Sequence, residues 1–397
     1  MDPTLPDDPA LRALAEQVAE AAGRLGHGVH PGTREAVRTL LRTVNCYYSN
    51  LIEGHDTHPV AIERAMRAEY AAGSRERDLQ VEALAHIAVQ ELLEGELAAA
   101  PAVNVCDAAF VRRIHEEFYE RLPAGLRVVR DPEGRREEVV GPGELRTYDV
   151  RVGQHVAPPH AEVPALLARF GRVYDPAGHD AVSGLLVLAA AHHRLLWVHP
   201  FGDGNGRVTR LMSELYLHRL GLPSAGLWAV ARGLARRSGD YKRALAAADD
   251  ERWNDVDGRG PLSLRGLVQF CRFFLEVALD QVTYMAGVLA VDELAGRAAA
   301  YGRARETGLL PAPVSGSRRW SADETRLLGD LVYRGTVPRG DVPGLLRLPE
   351  RTARRVVALL VAEGFARSPS SRAPLTVRFP AHAGAYLFPG LYATSGG

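Results

Sequence analysis

The stretch His199-Pro200-Phe201-Gly202-Asp203-Gly204-Asn205-Gly206-Arg207-Val208-Thr209-Arg210 holds the residue types needed to handle a nucleoside triphosphate. Gly204 and Gly206 free the backbone to turn tightly and aim several N–H groups one way at a helix N-terminus, which binds phosphate without a lysine. Arg207 and Arg210, three apart on the first helical turn, can reach one polyphosphate through charge-assisted hydrogen bonds. Asp203 supplies a hard oxygen ligand suited to Mg²⁺, which takes one or two carboxylates plus substrate phosphates. His199 ends the preceding helix, where an imidazole can accept a proton from an attacking hydroxyl. In-line attack on an α-phosphorus would leave charge on the phosphoryl oxygens for metal and loop to stabilise while pyrophosphate departs.

Other nucleotide-binding arrangements are excluded. Lys242 is the only lysine and stands between Tyr241 and Arg243, so no Walker loop exists. A dinucleotide fingerprint starting at Gly202 would need its third glycine at Arg207, and no strand precedes it. His192 and His193 are adjacent and so point to different helix faces, which suits a structural role better than joint metal ligation. Cys46, Cys106 and Cys271 lack CxxC spacing, so neither a zinc ribbon nor a disulfide framework is expected.

The twelve-residue string resembles the Fic family motif HPF-x-D/E-G-N-G-R-x-x-R, with every specified position filled. The resemblance implies a mainly α fold: a Fic-type helical core in which His199 is the general base and Asp203 the Mg²⁺ site. Gly204, Asn205 and Gly206 would form the anion hole, and Arg207 with Arg210 the clamp on ATP. The implied reaction is transfer of AMP to a Ser, Thr or Tyr hydroxyl of a protein, the chain itself included. Upstream, Ser49-Asn50-Leu51-Ile52-Glu53-Gly54 resembles the family's inhibitory motif Ser/Thr-x-x-x-Glu-Gly/Asn. Ser49 and Glu53 share a helix face and Gly54 suits the residue that closes a helix. The resemblance implies that Glu53 pairs with Arg210 and fills the γ-phosphate position. It also likens Glu144–Val156 to the flap that holds a target segment by strand addition, and Tyr241, in Tyr-x-x-x-Leu, to the adenine-side segment.

The elements that must position these residues follow from periodicity. Apolar residues at three- and four-residue steps predict helices over Thr33–Glu53, Pro59–Tyr70, Leu79–Leu97 and a stretch through His115 and Tyr119. Further helices are predicted over Val163–Tyr174, a buried central Ala181–Trp197, Arg207–Leu220, Ser238–Asp249 and a long Leu264–Arg303. The hairpin Glu144–Val156 reads as the one β feature of the first three hundred residues. After a linker at Gly316 and Ser317, helices at Ala322–Arg334, Arg339–Leu346 and Pro349–Glu363 precede a strand at Leu375–Phe379, the order of a winged helix-turn-helix. The expected divisions are 1–98, a catalytic core at 99–250, a helical extension at 251–315 and a winged module at 316–397.

Composition bounds the rest. Hydrophobic residues at 46% against 24% charged give an ordered globular balance, and 397 residues exceed one ordinary core. Forty-eight basic residues cancel forty-eight acidic ones, so no global field draws the chain to nucleic acid or a membrane. No signal peptide or membrane span is expected, since the N-terminus is acidic and the apolar run 185–191 stops at His192-His193-Arg194; the cytoplasm is the expected compartment. Transfer of UMP, phosphate or phosphocholine, or removal of AMP, stays open on the same fold. A DNA-binding regulator is the alternative of another class, because Arg351, Arg354 and Arg355 fit either DNA contact or a solvated helix face. The remaining partner expectations are a protein docked on the winged module and a second copy of the chain.

Overall fold

The computed structural model describes residues 8–130, 137–257, 262–313 and 317–392. Gly316 of the expected linker lies outside them. The fold is mainly helical, as expected.

The first helix, unread in the sequence, is α1 (Pro9–Gly28), opened by the Asp8 carboxylate accepting from the N–H groups of Ala10 and Leu11. It is followed by α2 (Pro31–Ile52), α3 (Pro59–Met66), α4 (Ser74–Ala99) and α5 (Ala108–Glu120). The third stops four residues short of expectation because Ala68 turns left-handed at φ 61°, which ends the helix.

Two antiparallel ribbons come next. Strands β1 (Val128–Arg130) and β2 (Glu137–Val139) pair with Val128 opposite Val139, a second β feature that corrects the expectation of one. Strands β3 (Arg151–Val152) and β4 (His155–Val156) form the expected hairpin, but only two residue pairs long, so 144–150 is loop. Helices α6 (Val163–Val173), α7 (Ala181–Val198), α8 (Asn205–Arg219), α9 (Val230–Arg236) and α10 (Ser238–Asp249) complete the expected core region.

Helix α7 is the central element, packed against α1, α6, α8 and α11 (Leu264–Val288). Its Leu185, Leu186, Val187 and Leu188 are buried, each worth about 1.5–3 kcal/mol of apolar transfer. This helix is long and apolar enough to cross a membrane, yet 67% of it is buried inside the protein, as the packing of a core helix requires. The single long helix expected over 264–303 is two, α11 and α12 (Val291–Thr307), bent by 62°. The break is held by Arg297, whose guanidinium donates to the Val288 carbonyl at the end of α11 and to the Leu387 carbonyl.

The C-terminal segment contains α13 (Ala322–Arg334), β5 (Thr336–Val337), α14 (Val342–Leu346), α15 (Glu350–Ala362), β6 (Ala366–Arg367), β7 (Leu375–Val377) and α16 (Ala381–Leu387). Its strands pair antiparallel in the order β5-β7-β6. Serine and glutamate at 321 and 324 make a reciprocal cap at the start of α13. The segment is not an appendage: β7 and α13 pack on α2, and α16 packs on α3 and α12. The Tyr48 hydroxyl donates to the Leu391 carbonyl at 2.9 Å, one residue before Ser49.

Candidate active site

His199 closes α7 in a left-handed conformation, φ 48° and ψ 62°. A non-glycine residue there is strained by about 1–3 kcal/mol, so its surroundings must hold it. Arg146 does so, donating through Nε to the His199 carbonyl at 2.8 Å while its Nη1 binds the Tyr148 carbonyl, also at 2.8 Å. Burial first, then the charges of His155 and Arg146, push His199 down to about 4. The ring is therefore neutral at neutral pH. A neutral imidazole keeps a lone pair on one ring nitrogen, ready to accept a proton.

The loop after His199 is built around its own side chains. Asn205 clips it shut, with Nδ2 donating to the Phe201 carbonyl and Oδ1 accepting from the Phe201 N–H, both at 2.9 Å. Phe201 stacks on His115 and His115 on Tyr119, with centroids 4.0 and 4.2 Å apart. Gly204 takes φ +78° with Tyr119 packed where a Cβ would stand, so only glycine fits. Helix α8 begins there, and the N–H groups of Asn205, Gly206 and Arg207 have no carbonyl one turn earlier within the helix.

Arg207 and Arg210 both project from this first turn and are buried. The Arg207 Nη2 donates to Asp203 Oδ2 at 2.8 Å, its Nη1 lies 3.6 Å from Glu82, and its guanidinium covers the Phe118 ring. The same Asp203 oxygen accepts from the Tyr119 hydroxyl at 2.5 Å. Burial alone would raise the Asp203 carboxyl, but Arg207, Tyr119 and the Gly204 N–H hold it below the usual range.

Arg210 is held by the end of α2. Its Nε donates to Ser49 Oγ at 2.8 Å, and its Nη2 to the Ser49 carbonyl at 3.1 Å and to Glu53 Oε1 at 2.5 Å. Gly54, at φ +85°, turns the chain immediately after Glu53. The Glu53 carboxylate also stands against Gly206, at the point where a Cβ on that residue would project. It thus fills the space between the helix N-terminus and the second arginine. Burial works against its charge, yet Arg210 overcomes this and holds Glu53 below the usual carboxylate range. A cleft of about 500 Å³ opens beside it, lined by Leu51, Ile52, Glu53, Gly54, Ser238 and Lys242.

The residues singled out in the sequence therefore converge, with Tyr241 behind the second arginine, where its hydroxyl meets the Arg210 guanidinium. Tyr241 is 2% exposed, packed on Phe270 and Phe273, and its hydroxyl is 2.7 Å from His192 Nε2, so it braces α7 rather than facing the cleft. His192 also meets Ser213 Oγ at 2.8 Å, in keeping with the structural role expected of it. Arg146, His115, Tyr119, Glu82, His155 and Lys242 were not legible as site residues. Each lies far from the motif in sequence and is brought in by packing, with no local spacing to mark it.

Comparison with known proteins agrees with the geometry. Residues 105–217 match the Fic/DOC family. Over 122 residues the chain is 32% identical to the protein adenylyltransferase Fic of Drosophila melanogaster and 33% identical to that of Drosophila yakuba. Each match covers 31% of this chain and 24% of the relative, so the chain spans about a quarter of the length of these relatives. A Fic family protein from Desulfovibrio desulfuricans G20 shares the fold over 93% of this chain and 96% of its own, at TM-score 0.52 and 19% identity. Fic-1 (aa134–508) from C. elegans does so over 70% and 73%, at TM-score 0.52 and 18% identity. Residues 105–217 of this chain are therefore a Fic/DOC-family domain.

Proposed function

We propose that this chain transfers AMP from ATP to a Ser, Thr or Tyr hydroxyl of a protein, and that Glu53 restrains it by occupying Arg210. The observation that carries this reading is the Glu53 carboxylate lodged between Arg210 and Gly206, four residues along a helix from Ser49. A carboxylate there is a stand-in for a phosphate: it is an anion placed at a helix N-terminus and an arginine.

In the reaction the lone-pair nitrogen of His199 takes the proton of the attacking hydroxyl. The new bond joins that oxygen to the α-phosphorus, the bond to the bridging oxygen breaks, and pyrophosphate leaves. The N–H groups at the start of α8 and the Arg207 guanidinium receive the growing negative charge. Asp203 would hold Mg²⁺ together with the phosphates, and the metal would neutralise part of that charge. The cleft volume suits a nucleoside. Hairpin β3–β4 presents Val152 and Val156 exposed beside an unpaired strand edge, a place for an extended target segment to add a strand. Intact-mass analysis of a protein substrate pool treated with ATP and the Glu53→Gly chain tests the reading; the absence of AMP-sized additions on any protein, this chain included, refutes it.

A second reading concerns residues 317–392. The exposed face of α15 carries Arg351, Arg354 and Arg355, which favours a winged-helix unit contacting DNA. Binding of the full chain to duplex DNA that weakens steeply with salt supports it, and salt-independent or absent binding refutes it.

A further inference from the structure

Hairpin β3–β4 is too short to hold itself. Two residue pairs with exposed Val152 and Val156 supply little of their own stability, and a lone two-stranded hairpin is marginal even when longer. Its shape must come from what ties it to the core. The inward side chain of β4 is His155, and both its ring nitrogens are engaged. Nδ1 lies 3.0 Å from Asp249 Oδ2, and Nε2 lies 3.0 Å from the carbonyl of Trp197, two residues before His199.

Both partners are oxygen acceptors, so the one ring spans from the hairpin to the α10 carboxylate and to the α7 backbone. Behind it, the other Asp249 oxygen is 2.9 Å from Nε2 of His193, which is buried on α7. Three elements meet in this chain of contacts: the hairpin, the last residue of α10 and the middle of α7. The His155 and His199 rings lie with centroids 6.4 Å apart, so whatever fixes His155 also fixes the distance from the hairpin to the histidine of the motif.

We propose that His155, backed by Asp249 and His193, is a positioning residue that fastens the target-docking hairpin to the active-site helix. This rests on the adenylyl-transfer reading above and deepens it by naming what sets the acceptor's place. The docked hydroxyl is delivered at the distance that His155 imposes. The phosphates are held elsewhere, by the start of α8 and its arginines, and do not depend on this link.

The test uses the full chain carrying Glu53→Gly, with His155→Ala, His155→Gln or Asp249→Asn added. Glutamine at 155 can donate to Asp249 or to Trp197 but not to both, so it should recover part of what alanine loses. Expected for His155→Ala are amide hydrogen exchange at least ten-fold faster across 151–156, an unchanged dissociation constant for ATP, and AMP transfer to protein slowed at least ten-fold at unchanged KM for ATP. His155→Gln should fall between. Asp249→Asn should likewise speed hairpin exchange and slow transfer, with the dissociation constant for ATP unchanged. Unchanged hairpin exchange in folded His155→Ala overturns the proposal, as does a loss of ATP affinity equal to the loss of transfer. If the parent Glu53→Gly chain transfers no nucleotide, the proposed function fails, while hydrogen exchange and ATP binding still decide this inference.

Discussion

Replacing Glu53 with glycine removes one of the three hydrogen bonds that tie Arg210 to the end of α2 and, among the described residues, the carboxylate paired with it. Arg210 is 3% exposed and Glu53 37% exposed at the side chain, so the pair lies at the edge of the solvent. A hydrogen bond to a charged group contributes about 1.5–3 kcal/mol net. Solvent screening of the half-open carboxylate brings this towards about 1–2 kcal/mol. A nucleotide whose terminal phosphate must displace Glu53 meets that cost, so its removal should speed productive turnover about 5- to 30-fold. Glycine is tolerated at this position: Glu53 is the residue that caps α2 and Gly54 already makes the turn. The assay is the initial rate of self-modification by the full chain at saturating ATP. Glu53→Gln, which keeps the shape and one hydrogen-bonding oxygen without the charge, should give a smaller gain. Glu53→Gly with Arg210→Ala should lose the gain, because the arginine released by the first change is gone in the second. A folded Glu53→Gly chain with the wild-type rate would refute the brake.

Three further outcomes follow from buried polar groups. Burial works against the charge of Asp249, but the hydrogen bonds from His155 and His193 hold its carboxyl down to about 2 against an ordinary 3.8. The resulting stability, about 2 kcal/mol, is present above pH 3.8 and lost as pH falls towards 2, so urea unfolding of wild type should show this slope and Asp249→Asn should not. Glu214 has the opposite sign: burial, then the charge of Glu94, push it up to about 8 from 4.5. Stability it favours is full below pH 4.5 and lost as pH rises to 8, so Glu214→Gln should unfold at least about 2 kcal/mol later at pH 8 and flatten that slope. Tyr48→Phe leaves the Leu391 carbonyl with one donor fewer and should cost about 1 kcal/mol in urea unfolding, with no change expected if that bond is not made.

The central string was legible because its chemistry is local: base, carboxylate, glycines and arginines lie on one helix end, loop and helix start. The Ser49–Gly54 match was legible for the same reason, and the helices it needed were marked by apolar periodicity. What spacing could not show was who neutralises whom. The engagement of Asp203 by Tyr119, of Arg207 by Glu82 and of His155 by Asp249 each joins residues brought together only by packing. The aromatic environment of Tyr241 was hidden in the same way, since a Tyr-x-x-x-Leu step on a helix does not say whether the ring turns to the cleft or to α7. The ribbon β1–β2 escaped because three-residue strands leave no alternation to read. The C-terminal segment looked separable from its own helix order, whereas the contacts of Tyr48, β7, α13 and α16 tie it to α2 and α3.

The most direct measurement follows the label on ATP. The Glu53→Gly chain is incubated with Mg²⁺ and ATP carrying the isotope at either the α- or the γ-phosphate, and protein-bound label is counted after denaturation. The expected result is covalent label from the α position only, γ label recovered in pyrophosphate, and neither retained when His199→Ala is added while ATP still binds. Protein-bound γ label, or α label undiminished in the His199→Ala chain, would contradict AMP transfer by this histidine.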